Sequence, residues 1–595
     1  MCRIAGIIDF QSHPAEQLLL QMRDSMKHGG PDDAGIYMDD TWPLLFGHRR
    51  LALIDLSPGG HQPMLSPEKD IVIVFNGEIY NYQELKAELA SQYNIQFRTG
   101  SDTEVIIHAY RVWGKECFSR FNGMFALAIL DKQKHKVLLA RDHAGIKPLY
   151  YSFKDDCLVF ASEVRAFKSV KKDWPENKDW RKYFLLFGHL PEPVTTLEGV
   201  IPLKKGCVLE YDLQSRKATH FQTQPFYYNY QAYSEEEAIA LVREKLDVAV
   251  QRHLISDAPI GLFLSGGLDS SILTILAKKY CGENLQTLSI DFENSKYSEK
   301  QYQDIIVKKT GARHQSFLVT QHDFESSIDD IMAAMDQPST DGINSYFICK
   351  YAREYGLKAV LSGIGADELF GGYQSFYRAS QVRKITNLPA FALAAANIAK
   401  GDKWKRISFL QRKDGLGEYL FNRGFFVSSQ IAKFLDCPVQ EINELLENIP
   451  FPGFVATMDE KERSSYYETN WYMQNQLLKD TDYMSMWHGI EVRVPFLDKE
   501  LMQAIYSIQP ELRYKILPKH LLIKAFETEL PEAIYKRPKQ GFVFPFENWM
   551  KNTELPVVKN NHESVRLQKG FANGKVHWSR YWCYVLAMSY GTVMI

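Results

Sequence analysis

Cys2 stands directly behind the initiator methionine in MCRIAGIIDF, ahead of an apolar, strand-like run. With Met1 removed, a single carbon bears a thiol and a free α-amine. The pair joins a nucleophile to a proton acceptor, because an α-amine titrates at roughly 7.7–8.0 and a free thiol at about 8.5. The plainer reading makes Cys2 one of eight ordinary cysteines. Four polar islands follow: HGGPDDAG (28–35), GHRRLALIDLS (47–57), FNGEIYN (75–81) and TGSDTEV (99–105). Each alone can be a turn, and Asn76-Gly77 is a common hairpin dipeptide. Together with Cys2 they supply what hydrolysis of a glutamine side-chain amide requires. A thiolate attacks the amide, and the developing oxyanion needs donors such as a side-chain amide and a backbone N–H. An arginine can hold the α-carboxylate in bidentate fashion, and acidic groups the α-ammonium.

A second stretch with chemical character is SGGLDSS (265–271). It lies between an apolar run at 260–264, read as a buried strand, and a helical pattern at 268–280. A Gly-rich turn at that junction lets backbone N–H groups approach an anion, and the helix N-terminus adds favourable electrostatics. Glycine at 266 and 267 permits the approach without a Cβ in the way. The Gly-Lys-Ser/Thr ending of a Walker loop is absent. LKAVLSGIGADELFGGY (357–373) repeats the layout, a strand-like run and then a Gly-rich turn.

The first set of motifs resembles the class II, N-terminal-nucleophile glutaminase domain of asparagine synthetase-type amidotransferases. That resemblance implies Cys2 as nucleophile with its own amine as general base. It implies Arg50 on the glutamine carboxylate, with the backbone of Arg50, Leu51, Ala52, Leu53 and Ile54 lining the pocket. Asn76 and Gly77 would form the oxyanion hole, and Glu78 and Asp102 would bind the ammonium. Neighbouring Arg49 is read as a structural or surface charge. SGGLDSS is similar to the pyrophosphate loop of the ATP pyrophosphatase family, which cleaves ATP to AMP and pyrophosphate. The implied ATP contacts are Leu264, Ser265, Gly266, Gly267, Asp269, Ser270, Ile290, Ser362 and Gly363, with Leu264 and Ile290 at the adenine. Asp269 and Asp367 are then Mg²⁺ ligands, the alternative being helix caps. Lys539, in KRPKQGFVFP (536–545), would steady charge at the reacting phosphate, the alternative being a solvated lysine. DTDYMSMWHGIEVRVPFLD (480–498) resembles the family's signature near the acceptor site, with Tyr483 in place of the usual arginine.

The elements that must position these residues follow from the patterning. RIAGIID, DIVIVFNGEIYNY, MFALAILD, KVLLARD and CLVFASE read as strands, with helices at 83–92 and 103–113. The pattern predicts an α+β domain of stacked sheets, and the resemblance adds antiparallel sheets between helices. A mainly parallel α/β pyrophosphatase domain is expected to follow. The expected boundaries are 1–212 for the glutaminase domain, 213–233 for a linker and 234–595 for the amidoligase domain. Residues 551–595 carry no motif.

Composition narrows the function classes. The 595 residues are 45% hydrophobic and 24% charged, which marks a globular chain too long for one core. A net charge of -2 gives no global pull toward nucleic acid. The cysteines form no CxxC pair and read as reduced cytosolic thiols. No signal peptide is recognisable, and AFALAAANIA (390–399) is short of the roughly twenty residues a spanning helix needs. A cytoplasmic enzyme without an integral membrane segment is expected, with peripheral attachment through 390–399 left open. The resemblance implies a homodimer.

The expected reaction couples the two halves. ATP adenylates an acceptor carboxylate, Cys2 releases ammonia from glutamine, and ammonia crosses a route that excludes bulk water. Family members that make asparagine carry SGEG in the second Gly-rich turn, whereas this chain has Ser362-Gly363-Ile364-Gly365. Ile364 removes a charge and a hydrogen bond tied to aspartate. Ile364 and Asp341 are therefore the acceptor-specificity candidates. The acceptor is aspartate or another carboxylate, such as a uronic-acid sugar of surface polysaccharide or a peptide. A glutaminase-only hydrolase, an RNA-modifying relative and a non-catalytic scaffold are the rival classes.

Overall fold

The computed structural model describes residues 2–590 apart from 13, 224–227, 294–296, 396–401, 452–457, 538–543, 554 and 556–560. Two six-stranded antiparallel sheets form the N-terminal unit. One runs, edge to edge, through Ile201–Pro202, Tyr150–Lys154, Cys157–Ala161, Arg3–Asp9, Leu44–Arg50 and Asp33–Met38. The other runs through Lys217–Gln222, Cys207–Asp212, Lys136–Arg141, Gly123–Asp131, Ile71–Ile79 and Met64–Leu65.

The apolar runs that read as strands lack polar alternation because both faces are covered. In Ile71–Ile79, Ile71, Ile73 and Phe75 pack under the helices Tyr82–Tyr93 and Asp102–Trp113. Val72 and Val74 point the other way, into the layer shared with Ile4, Ile8, Leu44 and Phe46 of the opposite sheet. Helices Glu16–Asp24 and Arg165–Val170 cover the remaining face through Leu19, Met22 and Phe167. The result is the expected pair of stacked sheets between helices.

The expected linker begins too early. Lys217–Gln222 pairs antiparallel with Cys207–Asp212 and closes the sheet, so residues after 212 still belong to the first unit. The helix Trp180–Phe187 departs from the expected division in the other direction. Its Phe184, Leu185 and Phe187 join the core of the second unit. There it meets Trp578–Ser589, whose Trp582, Val585 and Leu586 are fully buried, and Arg181 Nε donates to the Ala587 carbonyl at 3.0 Å. Within the motif-free C-terminus, the helix Trp578–Ser589 thus serves as a structural wrap.

The second unit is built on a five-stranded sheet, parallel throughout, in the order Arg313–Val319, Gln286–Phe292, Ile260–Phe263, Ala359–Leu361, Glu491–Arg493. Ile260–Phe263 comes first in the chain and sits in the middle. The chain builds outward to one side and then to the other, which makes the gap between Ile260–Phe263 and Ala359–Leu361 a topological switch point. Ligands bind at the carboxyl ends of strands at such points. Both Gly-rich turns emerge there.

Candidate active site

Cys2 directly precedes the strand Arg3–Asp9 in the interior of the first sheet and is 7% exposed. Its backbone N–H donates to Asn76 Oδ1 at 3.2 Å, and the Leu51 N–H is hydrogen-bonded to the thiol. Burial pushes the thiol up to about 11, against the pull of the nearby chain terminus and Arg50. A resting thiol here stays protonated, so attack needs an adjacent base.

Asn76 Nδ2 is buried and has no hydrogen-bond partner among the described residues. An orphaned amide donor beside a nucleophile is what a developing oxyanion would occupy. Gly77 lies opposite Phe125 in the antiparallel pair, with φ of 155°, and a Cβ there would sit 2.1 Å from the Met124 carbonyl oxygen. The close strand approach excludes any side chain at 77.

Arg50 is aimed by the turn that follows it. Its Nη1 donates to the Ser57 carbonyl at 3.1 Å and its Nη2 to the carbonyls of Ile54 and Asp55. Among the described residues the Nε hydrogen has no acceptor, which leaves it for an incoming carboxylate. Gly60 makes room, since a Cβ there would lie 1.8 Å from Arg50 Nη2. Arg49 turns away to pair with Asp24 at 2.7 Å.

Glu78 and Asp102 are both buried. Asp102 Oδ2 accepts the Ile79 N–H at 3.0 Å, yet burial lifts its carboxyl to about 6. Burial and neighbouring Glu491 push Glu78 well above the carboxylate range, with Arg493 opposing. Arg493, from the last strand of the parallel sheet, lies 3.5 Å from Glu78 Oε1 and 2.5 Å from Glu491 Oε1. An ammonium placed beside them would favour the charged form of both acids.

The second centre is a cavity of about 560 Å³ at the switch point. Ser265, Gly267, Asp269, Ser270, Ile290, Ser362, Gly363, Ile364, Asp341 and Asp367 all line it, as does Leu264. Ser265 and Ser270 hydroxyls lie 3.0 Å apart, and Ser265 Oγ accepts the Gly267 N–H at 3.2 Å, which shapes the turn. Gly266 has φ of 76° and packs on Tyr302, where a Cβ would come within 2.9 Å of the Tyr302 Cβ. At Gly363 a Cβ would fall 2.8 Å from Asp269 Cβ, so the two turns touch only because 363 is glycine.

The helix-cap alternative for the two acids does not describe them. Gly267 and Gly365 hold the N-cap positions, and both carboxylates converge on Lys519 Nζ. The distances are 2.6 Å to Asp269 Oδ2 and 2.7 Å to Asp367 Oδ1. Burial works against the ammonium, but the two acids outweigh it and hold Lys519 charged. The pair already presents one cation-sized position, which suits a divalent ion completed by phosphate oxygens and water. Lys539 lies outside the described residues.

Three residues here were not anticipated. Lys519 follows no motif and reaches the site from a turn remote in sequence. Arg537 donates to the Gly266 carbonyl at 3.0 Å and pairs with Glu299 at 2.8 Å. It sits in the segment quoted for Lys539, so its basic character was the available signal. Arg493 was visible only as part of VRVPFLD.

The 480–498 segment divides between both units. Asp480 and Thr481 face the cavity. Asp482 instead pairs with Arg3 at 2.9 Å and Lys147 at 3.1 Å, and the buried Tyr483 hydroxyl meets that of Tyr150. The helix bearing these residues follows a π-helical stretch, Glu468–Leu477, a feature frequent at functional sites. Its Asn475 accepts the Glu192 N–H at 2.9 Å.

The fold and the two centres define a glutamine amidotransferase unit joined to a nucleotide-binding α/β unit. The glutamine amidotransferase domain family matches residues 1–227 and the asparagine synthase family residues 241–574. The chain belongs to the glutamine-hydrolysing asparagine synthetase family. It is similar to an asparagine synthetase (glutamine-hydrolyzing) of Bacillus subtilis, at 32% identity over 94% of this chain and 89% of that one. Asparagine synthetase B of Escherichia coli is 31% identical over 91% and 82% of the two chains. A relative in Gibberella zeae carries a different name, Amidase chry2, at 26% identity over 95% and 93%. As a member of this family the chain is a glutamine-dependent ligase.

Proposed function

We propose that the protein uses ATP to convert a carboxylate to an amide, drawing ammonia from glutamine, with aspartate-to-asparagine conversion as the leading specific reaction. The observation that carries the coupling is one apolar cluster shared by both units. It joins Leu51, Leu53, Met124 and Ile146, beside the Cys2 pocket, to Leu262, Leu264 and Val494, beside the cavity. Ammonia moving along it would stay neutral and away from bulk water.

At the first centre, Cys2 attacks the amide carbon and its freed α-amine takes the thiol proton. Asn76 Nδ2 and the Gly77 N–H hold the oxyanion, Arg50 the carboxylate, and Glu78 and Asp102 the ammonium. Ammonia leaves, and water hydrolyses the thioester to glutamate. At the second centre, the acceptor carboxylate attacks the α-phosphorus of ATP and pyrophosphate departs. Ammonia then displaces AMP from the acyl-adenylate. Ser265, Gly266, Gly267 and Ser270 cradle the pyrophosphate, Leu264 and Ile290 flank the adenine, and Ser362-Gly363 contacts the nucleotide. Mg²⁺, when bound, neutralises phosphate charge, and Asp269 and Asp367 would hold it. Lys519, which bridges the two acids in this structure, would then be available to pair with the phosphates.

Asn76→Ala should lower the glutamine-dependent kcat by about 10²–10³-fold with little change in KM, the loss expected of one oxyanion donor. A steady-state comparison of glutamine and ammonia as nitrogen source reads it, because the ammonia-driven rate should not change.

A second reading of the acceptor rests on the cavity's charge. Ile364 brings no polar group, while Asp341, half-buried, and Glu368 and Asp480, both buried, line the same cavity, all pushed upward by burial, Glu368 to about 7. The basic residues among the described lining are Lys519 and Arg537, both at the pyrophosphate turn. That lining favours an acceptor whose remaining groups donate hydrogen bonds over one with a second carboxylate. Pyrophosphate release, measured with aspartate and with a panel of amino and polyhydroxy monocarboxylates, decides between them. Aspartate stimulation supports asparagine formation, and stimulation only by the others removes it.

A further inference from the structure

The segment after Tyr373 first packs on the body through Ser375 and Phe376 and then forms a small core of its own. Val382, Leu393 and Leu410 pack together with Ile385, Ile407 and Phe421 beside them. Leu393 points into that core from the short helix Ala390–Ala395, and Phe391, two residues earlier, points away. Phe391 is 79% exposed and Trp404 is 63% exposed, the two most exposed large hydrophobics among the described residues. Leu388 and Tyr377, each 45% exposed, belong to the same excursion.

Charge sets this region apart from the rest of the chain. Residues 374–413 carry nine Lys and Arg and a single acid, Asp402, in a protein whose net charge is -2. Arg378, Lys384 and Lys413 are exposed, and none makes an ion pair among the described residues. Exposed aromatic rings interleaved with cations are poorly placed in water. They match the boundary of an anionic bilayer, where rings enter the acyl border and Lys and Arg meet headgroups. No described helix is long and apolar enough to span a membrane, so the contact is peripheral.

We propose that the excursion bearing Tyr377, Leu388, Phe391 and Trp404 docks this enzyme on an anionic lipid surface. The helix Gln374–Thr386, which carries Tyr377 and leads toward Leu388 and Phe391, starts directly after Tyr373, which lines the cavity, so docking sets the cavity beside the membrane. This inference does not depend on which acceptor is used.

The test is co-sedimentation of the full-length protein with vesicles of phosphatidylglycerol and phosphatidylcholine, and with phosphatidylcholine alone. Binding to the anionic vesicles at 50 mM salt is expected, falling at least about tenfold at 500 mM as the headgroup attraction is screened. The double variant Phe391→Ser/Trp404→Ser should lose about tenfold in partitioning, and Arg378→Glu/Lys384→Glu should lose binding at low salt. An unchanged thermal melt and far-UV circular dichroism spectrum of each variant shows that the fold is intact. No binding to anionic vesicles, equal binding to both compositions, or binding untouched by both variants would overturn the proposal. So would association with a short RNA in the absence of vesicle binding, which would assign the basic patch to nucleic acid.

Discussion

Cys2→Ala is expected to remove glutamine-dependent product formation by on the order of 10⁵-fold, as loss of a covalent nucleophile does elsewhere. With ammonium salts as nitrogen source, the same variant should form AMP and product at close to the wild-type rate. The separation follows from the architecture. Cys2 lies in the antiparallel unit, and the ATP cavity is built from turns at the switch point of the parallel sheet. Cys2→Ser tests the chemistry more finely. The hydroxyl fits the site, but the α-amine is too weak a base to activate it, so the serine variant should remain below a hundredth of wild type. Mass spectrometry of active protein should find Met1 absent, because the attacking group and its base share one residue. Retained Met1 in fully active protein would remove this mechanism.

The second large effect is expected at the opposite centre. Asp269→Asn should cut ATP-driven product formation by about 10²–10³-fold, the scale for losing one electrostatic clamp at a reacting phosphate. Glutamine hydrolysis should continue. Lys519→Met separates two roles of the same cluster. Removing the buried ammonium leaves Asp269 and Asp367 facing each other, which should cost about 3–5 kcal/mol of stability. Mg²⁺ should restore much of that loss, because it fits between the same two carboxylates. A thermal melt with and without Mg²⁺ reads this without turnover. Equal melting of Lys519→Met in both conditions would take the metal away from Asp269 and Asp367.

The coupling we propose between the centres has a candidate physical carrier. The Arg493 side chain touches Glu78 in the glutamine pocket, and its carbonyl accepts the Ser362 N–H at 2.8 Å in the second Gly-rich turn. One residue thus bears on both sites.

Much of this was readable before the structure. The strands of the first unit, the helices expected at 83–92 and 103–113 and found as Tyr82–Tyr93 and Asp102–Trp113, and the placement of SGGLDSS between strand and helix depend on local apolar patterning and glycine positions. These signals act over a few residues, so they survive in one dimension. Cys2 and Asn76 were legible as chemistry, and the structure brings them to 3.2 Å.

What the linear chain left open are relations between distant segments. Lys519 meets Asp269 across 250 residues, and no local pattern marks a lysine that will neutralise two acids. The edge strand Lys217–Gln222 is polar and exposed, so it looks like linker, and only its pairing with Cys207–Asp212 reveals it. The helix Trp180–Phe187 lies in the first unit by sequence and in the second by packing, since its apolar face finds the C-terminal helices. The linear chain carried the signals for both proposed chemistries, because each rests on a short motif whose residue types suit it. Tertiary structure alone decided which charges neighbour which and where one unit ends, because electrostatic and packing partners are chosen by distance in space.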